Sequence, residues 1–116
     1  MPPAVSTATK VATGVWHYLY FPLGVTIHGY TMIANASGSI VIDIWNDVYD
    51  GTNLPTDADS ITGAAPPTLS TAQFTQVFPV TWTNTVIKND SILGINVDSS
   101  TTISYCVLTL HLKKAR

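Results

Sequence analysis

Apolar and polar side chains alternate with a period of two along most of this chain, in short runs closed by turn-forming residues. From Gly14, the aromatic set Trp16, Tyr18 and Tyr20 alternates with Val15, His17, Leu19 and Phe21 until Pro22 and Gly24 end the run. Val25, Ile27, Gly29, Thr31 and Ile33 then alternate with Thr26, His28, Tyr30 and Met32, and Asn35-Ala-Ser-Gly38 reads as a turn. Residues 39–46 set Ile40, Ile42 and Ile44 against Val41, Asp43 and Trp45. Period two is the signature of a strand, whose successive side chains point to opposite faces. The C-terminal third repeats it. Residues 80–87 alternate Trp82, Asn84 and Val86 with Thr81, Thr83 and Thr85, residues 91–97 turn Leu93, Ile95 and Val97 inward, and residues 103–112 set Cys106, Leu108, Leu110 and Leu112 on one face. Lys88-Asn-Asp90 and Asp98-Ser-Ser100 separate these runs as predicted turns.

Two segments break the pattern. Residues 1–13 carry small residues and two prolines with no amphipathic period, and read as an extended arm. Residues 47–79 hold four of the seven Asp, two Gly and four Pro, and read as a long loop, a feature that is uncommon and often functional. Short extended pieces are predicted inside it at 60–62 and 74–78, and one helical turn at 69–73 behind Thr68 or Ser70 as N-cap. Six clear strands plus one or two in the loop predict a single jelly-roll-like β-sandwich of about seven or eight antiparallel strands.

Composition strengthens the all-β reading. Thr, Val and Ile make up a third of the chain, and their branched β-carbons favour extended backbone. Only 10% of residues are charged and none is Glu, so the exposed helix formers are missing and a helical bundle is excluded. The 116 residues suffice for one domain with a two-sheet core. Up to residue 112 the basic residues are Lys10 and Lys88 against seven Asp, the wrong balance for nucleic acid, which demands clustered Lys and Arg. No apolar run approaches the roughly 20 residues of a membrane span. The N-terminus lacks the layout of a signal peptide, so a soluble protein made in a cytosol is expected.

Candidate chemistry is sparse. There is no G-x-S-x-G elbow for a serine hydrolase, and the lack of Glu removes the residue most often tuned as a glycosidase acid. No catalytic residue, cofactor or metal is therefore predicted. Cys106 reads as a small buried hydrophobe, and His17, His28 and His111 as half-buried rings with a hydrogen-bond partner. Asp47, Asp50, Asp57 and Asp59 offer oxygen ligands suited to calcium, but without the rest of a calcium loop they read as turn and cap residues. Strand aromatics most often fill a sandwich core; Trp16, Tyr18 and Tyr20, sharing one face, are alternatively candidates for a subunit interface, where aromatics are enriched, and less so for a sugar-stacking platform.

One resemblance points further. Gly38-Ser-Ile-Val-Ile-Asp-Ile-Trp-Asn46, Asp57-Ala-Asp-Ser-Ile61, Pro67-Thr-Leu-Ser70, Asp90-Ser-Ile-Leu93 and Asn96-Val-Asp-Ser99, in that order and spacing, resemble a module of fibre, appendage and other surface proteins of tailed bacteriophages. The likeness covers about residues 24–113. It implies a β-sandwich without catalytic machinery, used for structure and attachment, often as a trimer. In that family the module usually ends a longer chain, whereas here it follows a 13-residue arm, which suits a short version resembling a capsid decoration or cement protein. The expected function is a virion-surface protein, assembled in the cytoplasm of the bacterial host. It would act as a homotrimer bound to the major capsid protein at subunit junctions, with Pro2, Pro3, Val5, Lys10 and Val11 as the capsid-contact arm. The alternative is a receptor- or glycan-binding module at a fibre or tail tip, with Tyr49, Asp57 and Phe74 in the recognition loop.

Overall fold

A computed structural model describes residues 11–114. The chain is all-β, as the alternation predicts, and its strands form one antiparallel sheet with a sandwich-like body. They are β1 (Gly14–Phe21), β2 (Val25–Val48), β3 (Thr68–Val77), β4 (Val86–Ile87), β5 (Ser91–Thr101) and β6 (Cys106–Lys114), with a 3-10 turn at Asp57–Asp59. No helix among the described residues is long and apolar enough to cross a membrane.

β2 is the spine. At about 3.3 Å per residue, its 24 residues would reach on the order of 80 Å if straight. The longest dimension of the molecule is 39 Å, so the strand must bend back on itself. β5 and β6 follow it end to end along one edge: Val48 to Ser39 pair with Ser91 to Thr101, and Ala34 to Val25 with Cys106 to Lys114. The corner lies between those two stretches. There Asn35 donates its backbone N–H to Tyr105 O, accepts the Ser104 and Tyr105 N–H groups on Oδ1, and donates Nδ2 to Ser104 Oγ. On the other edge β3 runs antiparallel to β2 from Tyr30↔Val77 to Val41↔Thr68, and β4 pairs with Val25 and Thr26. β1 extends the sheet beyond β5.

Folding the spine turns one face of both halves toward a common core. Met32 and Ala34 before the corner and Ile40, Ile42 and Ile44 after it are all buried, joined by Leu69, Leu93, Val97 and Ile103. Beyond the corner, the opposite face is covered too. Residues 49–65 fold over it, with Ser60 bridging to Trp45 and Ile61 N–H donating to Ile44 O at 2.9 Å. Beneath this cover Asp43 is buried, with no cationic partner among the described residues. Its Oδ1 accepts Ile44 N–H, Ser60 Oγ–H and Thr62 Oγ1–H at 2.7–2.9 Å, and Oδ2 accepts the Trp45 indole N–H at 3.0 Å.

Several expectations change. The two runs on either side of Asn35-Ala-Ser-Gly38 form one strand, and the described residues hold six strands. Residues 69–73 are strand and not a helical turn, held extended by pairing to β2 although Thr71 has a left-handed φ of 48°. Asp98-Ser-Ser100 is no turn either, since β5 continues through it opposite Ser39–Val41. In 80–87 only Val86 and Ile87 pair; Trp82 is buried, but the phase then slips so that Ile87 faces inward and Val86 outward. Cys106 is buried as expected. Of the three histidines only His111 is half-buried with a partner, its Nε2 lying 2.8 Å from Thr31 Oγ1, while His17 and His28 are exposed.

Val11 requires a correction as well. Its side chain is fully buried, its N–H donates to Ile103 O at 2.7 Å, and its carbonyl accepts the Ser100 hydroxyl. It belongs to the core and cannot serve as a capsid contact. Pro2, Pro3, Val5 and Lys10 lie outside the described residues.

Candidate functional site: an aromatic cleft at the β1 edge

The aromatic run of β1 does not share one face. Pairing with β5 shifts register between Val15 and His17, a bulge that places Trp16 with Leu19 and Phe21, all packed against the core. Tyr18 and Tyr20 are left on the opposite face, paired with Gly94 and Ile92. The predicted interface set of Trp16, Tyr18 and Tyr20 is therefore divided.

Tyr18 and Tyr20 gain a different partner. β2 ends at Val48, and the Tyr49 N–H donates to Asp90 O at 2.7 Å, which fixes Tyr49 beside β1. Tyr20 and Tyr49 meet edge to face, with centroids 6.3 Å apart at 74°. Together with Tyr18, Leu54 and Ile92 they line a cleft of about 480 Å³. Behind Tyr18, its strand partner Gly94 lets the ring lie close: a Cβ there would be 3.3 Å from the Tyr18 ring and 3.4 Å from Trp45. Tyr20 and Tyr49 remain 54% and 55% exposed, so the cleft presents planar apolar surface to solvent.

Polar groups frame this surface. The Tyr20 hydroxyl donates to the Asp90 carboxylate, and Asp90 sits at φ 67° in a turn that the Gly24 N–H ties to Asn89 Oδ1 at 2.6 Å. Asp50, just beyond Tyr49, accepts the Asn53 and Thr52 N–H groups at 2.8 Å, and these bonds hold its carboxyl below the usual carboxylate range. Asp90 acts oppositely on Tyr20, holding the phenol above its ordinary value of 10.0, because ionisation would forfeit the hydrogen bond and set two negative charges together. A raised folded-state value means the contact is intact below the ordinary tyrosine range and is lost as pH rises through the folded value. Tyr20 is expected to ionise after a free tyrosine when its ring carbon shifts are followed by NMR, and Asp90→Asn to remove most of the difference.

The expected recognition set of Tyr49, Asp57 and Phe74 is not brought together. Asp57 opens the 3-10 turn, whereas Phe74 lies on β3 opposite Ile33, across the corner from the β2 end that leads into Tyr49. Phe74 belongs instead to an apolar row across β3, β2 and β6, formed with Ile33 and Val107 and 65% exposed at the phenyl. No sequence signal joins these three residues, since the row exists only through strand register. Tyr49 was legible as an exposed aromatic; its pairing with Tyr20 was not.

Among the described residues, cysteine, histidine and carboxylate side chains do not gather into clusters. Burial pushes the Cys106 thiol up to about 11, far from a thiolate at neutral pH. His111 touches Thr31 and the Phe78 ring, and no carboxylate orients it among the described residues. Asp50 and Asp59 direct their oxygens to N–H groups of their own turns, and no three His, Cys, Asp or Glu converge as a metal site among the described residues. Comparison with protein-family models, curated proteins and solved structures finds no match, so function rests on residues and geometry.

Proposed function

We propose that this chain is a non-enzymatic structural protein of a tailed-phage virion, a decoration protein that binds at junctions of capsid subunits and stabilises the particle. The observation that carries this reading is the exposed cleft of Tyr18, Tyr20, Tyr49 and Leu54, on a protein whose charge is otherwise low. Exposed apolar patches of this kind, framed by polar groups, mark contact surfaces, and tyrosine is enriched at their centres. Low charge favours the same use, because association then strips water from few ions. The resemblance of the five sequence blocks to the phage module is what suggests the particle. Separated along the chain, they meet around the C-terminal half of β2: Pro67 O accepts the Ile42 N–H, Ser60 bridges to Trp45, and 91–99 pair along 41–48. Trimeric assembly and many copies on the particle would add avidity to modest single contacts.

A second reading, a glycan- or receptor-binding module at a fibre or tail tip, draws on the same cleft. Tyrosine rings beside the carboxylates of Asp90 and Asp50 suit a sugar, whose apolar face stacks on a ring while its hydroxyls reach acceptors. One pair of variants separates the two. Tyr20→Ala and Tyr49→Ala are expected to reduce occupancy on capsids stripped of the protein by tenfold or more, while the melting transition changes little. Undiminished capsid occupancy with lost binding on a glycan array would replace the first reading by the second.

A further inference from the structure

The tyrosine cleft stands in a more negative setting than its own lining shows. In one row across the sheet Tyr20 pairs with Ile92 and Ile92 with Asp47, so these three side chains stand on the same face. Asp47 is therefore two strands from Tyr20, roughly 10 Å away, with the cleft residue Ile92 between them. Asp90 holds the near end through the Tyr20 hydroxyl, and Asp50 follows Tyr49. Three of the seven Asp thus border one aromatic surface, and no basic residue lines it among the described residues.

These carboxylates differ in what they leave open. Asp50 is saturated by its own turn, where Oδ1 accepts the Thr52 and Asn53 N–H groups and Oδ2 the Asn53 side-chain amide. Asp47 engages only Oδ1, on the Val48 N–H, and Asp90 only Oδ1, on the Tyr20 hydroxyl, so the Oδ2 atom of each has no protein partner among the described residues. Both residues are half-buried. A partly buried charge is screened less than an exposed one, so a cation gains more beside it than on open surface. The rings select the shape of that cation. A guanidinium is planar, stacks on a tyrosine face, sheds water more readily than an ammonium and forks its N–H groups onto carboxylate oxygens. A cleft of about 480 Å³ is in the range that encloses a drug-sized ligand, so it has room for neighbouring residues of the segment that carries the cation.

Taking the cleft as the contact surface described above, we propose that the partner protein presents an arginine to it on an extended segment. Its guanidinium lies against the exposed tyrosine faces and donates to Asp90 Oδ2, while Asp47 adds attraction from across the row. On the isolated protein, N-acetylarginine amide is expected to shift the Tyr20 and Tyr49 ring signals saturably in an NMR titration. N-acetylcitrulline amide, similar in shape but uncharged, is not. Asp90→Asn, which tolerates the left-handed φ of 67°, should weaken the arginine probe about tenfold and Asp47→Asn several-fold, whereas Asp98→Asn, further along β5, should leave it unchanged. Equal shifts from both probes, no shift from either, or equal affinity for N-acetyllysine amide would overturn the arginine assignment. Methyl glucoside moving these rings where arginine does not would overturn it in favour of a sugar. Capsid occupancy separates this assignment from the decoration reading. Occupancy lost in Tyr49→Ala but kept in the Asp47→Asn, Asp90→Asn double variant would overturn the arginine and leave the decoration reading standing. Occupancy kept in both would overturn the decoration reading, and the probes alone would then decide the arginine.

Discussion

Asp43→Ala is expected to lower the unfolding free energy by about 3–5 kcal/mol, the largest effect anticipated for a single truncation. Four donors converge on this carboxylate, and the alanine would leave the Trp45 indole N–H, the Ser60 and Thr62 hydroxyls and the Ile44 amide without their acceptor. A buried donor deprived of its partner costs about 1–3 kcal/mol, and relaxation or an entering water would recover part of the sum. The carboxylate tolerates burial because its charge is distributed over these bonds. Asp43→Asn keeps the volume and one carbonyl but aims an N–H₂ at a donor, so its loss should be intermediate. Urea denaturation decides the matter: the midpoint should fall for both variants with the slope unchanged. The Trp45 indole N–H resonance should move in both. A midpoint for Asp43→Ala within experimental error of wild type would show that the covering segment 57–62 is held by something else.

Gly38→Ala should cost about 1–3 kcal/mol for a different reason, overpacking at the corner of the spine. A β-carbon there would lie 2.6 Å from Thr101 O and 2.8 Å from Ile103 Cγ1. The first of these is backbone, held by β2–β5 pairing, so the conflict cannot be relieved by turning a side chain. The strands would have to separate where Asn35 and Ser104 fasten the bend. Calorimetry should show a lower melting temperature, and β5 amides near Thr101 should exchange faster. Substitution at Gly51, where φ is 79° but nothing lies closer than 3.7 Å, tests backbone strain alone and should cost less than overpacking plus displacement at Gly38.

The sequence pattern carried the strands better than their connections. Inward positions such as Ile40, Ile42, Ile44, Leu93 and Val97 were legible because burial selects one parity within a strand. Asn35-Ala-Ser-Gly38 was misread because turn chemistry is local, whereas the residue that uses it, Asn35, bonds across to Ser104 and Tyr105 and keeps the strand going. The bulge at Trp16 was invisible for a related reason. Nothing in Gly14–Phe21 signals an extra residue, and the shift exists only relative to β5. Asp43 read as one polar position on the face opposite Ile40, Ile42 and Ile44; only the fold of 57–62 over that face made it the centre of a network. The candidate cleft was half legible. Tyr18, Tyr20 and Tyr49 were each singled out, but their grouping required the turn at Asp90, which lies 41 residues beyond Tyr49 in the chain.

The bent spine bears on how this protein comes apart. In a sandwich of two separate sheets, one sheet can peel from the other at the cost of the interface alone. Here β2 and its partner β3 both run through the corner, while β5 and β6 lie on either side of it, so the two layers cannot part without breaking main-chain bonds at the bend. The layers share their backbone as two pages share a fold. Such a protein is expected to melt in one sharp step and to offer proteases no half-open form.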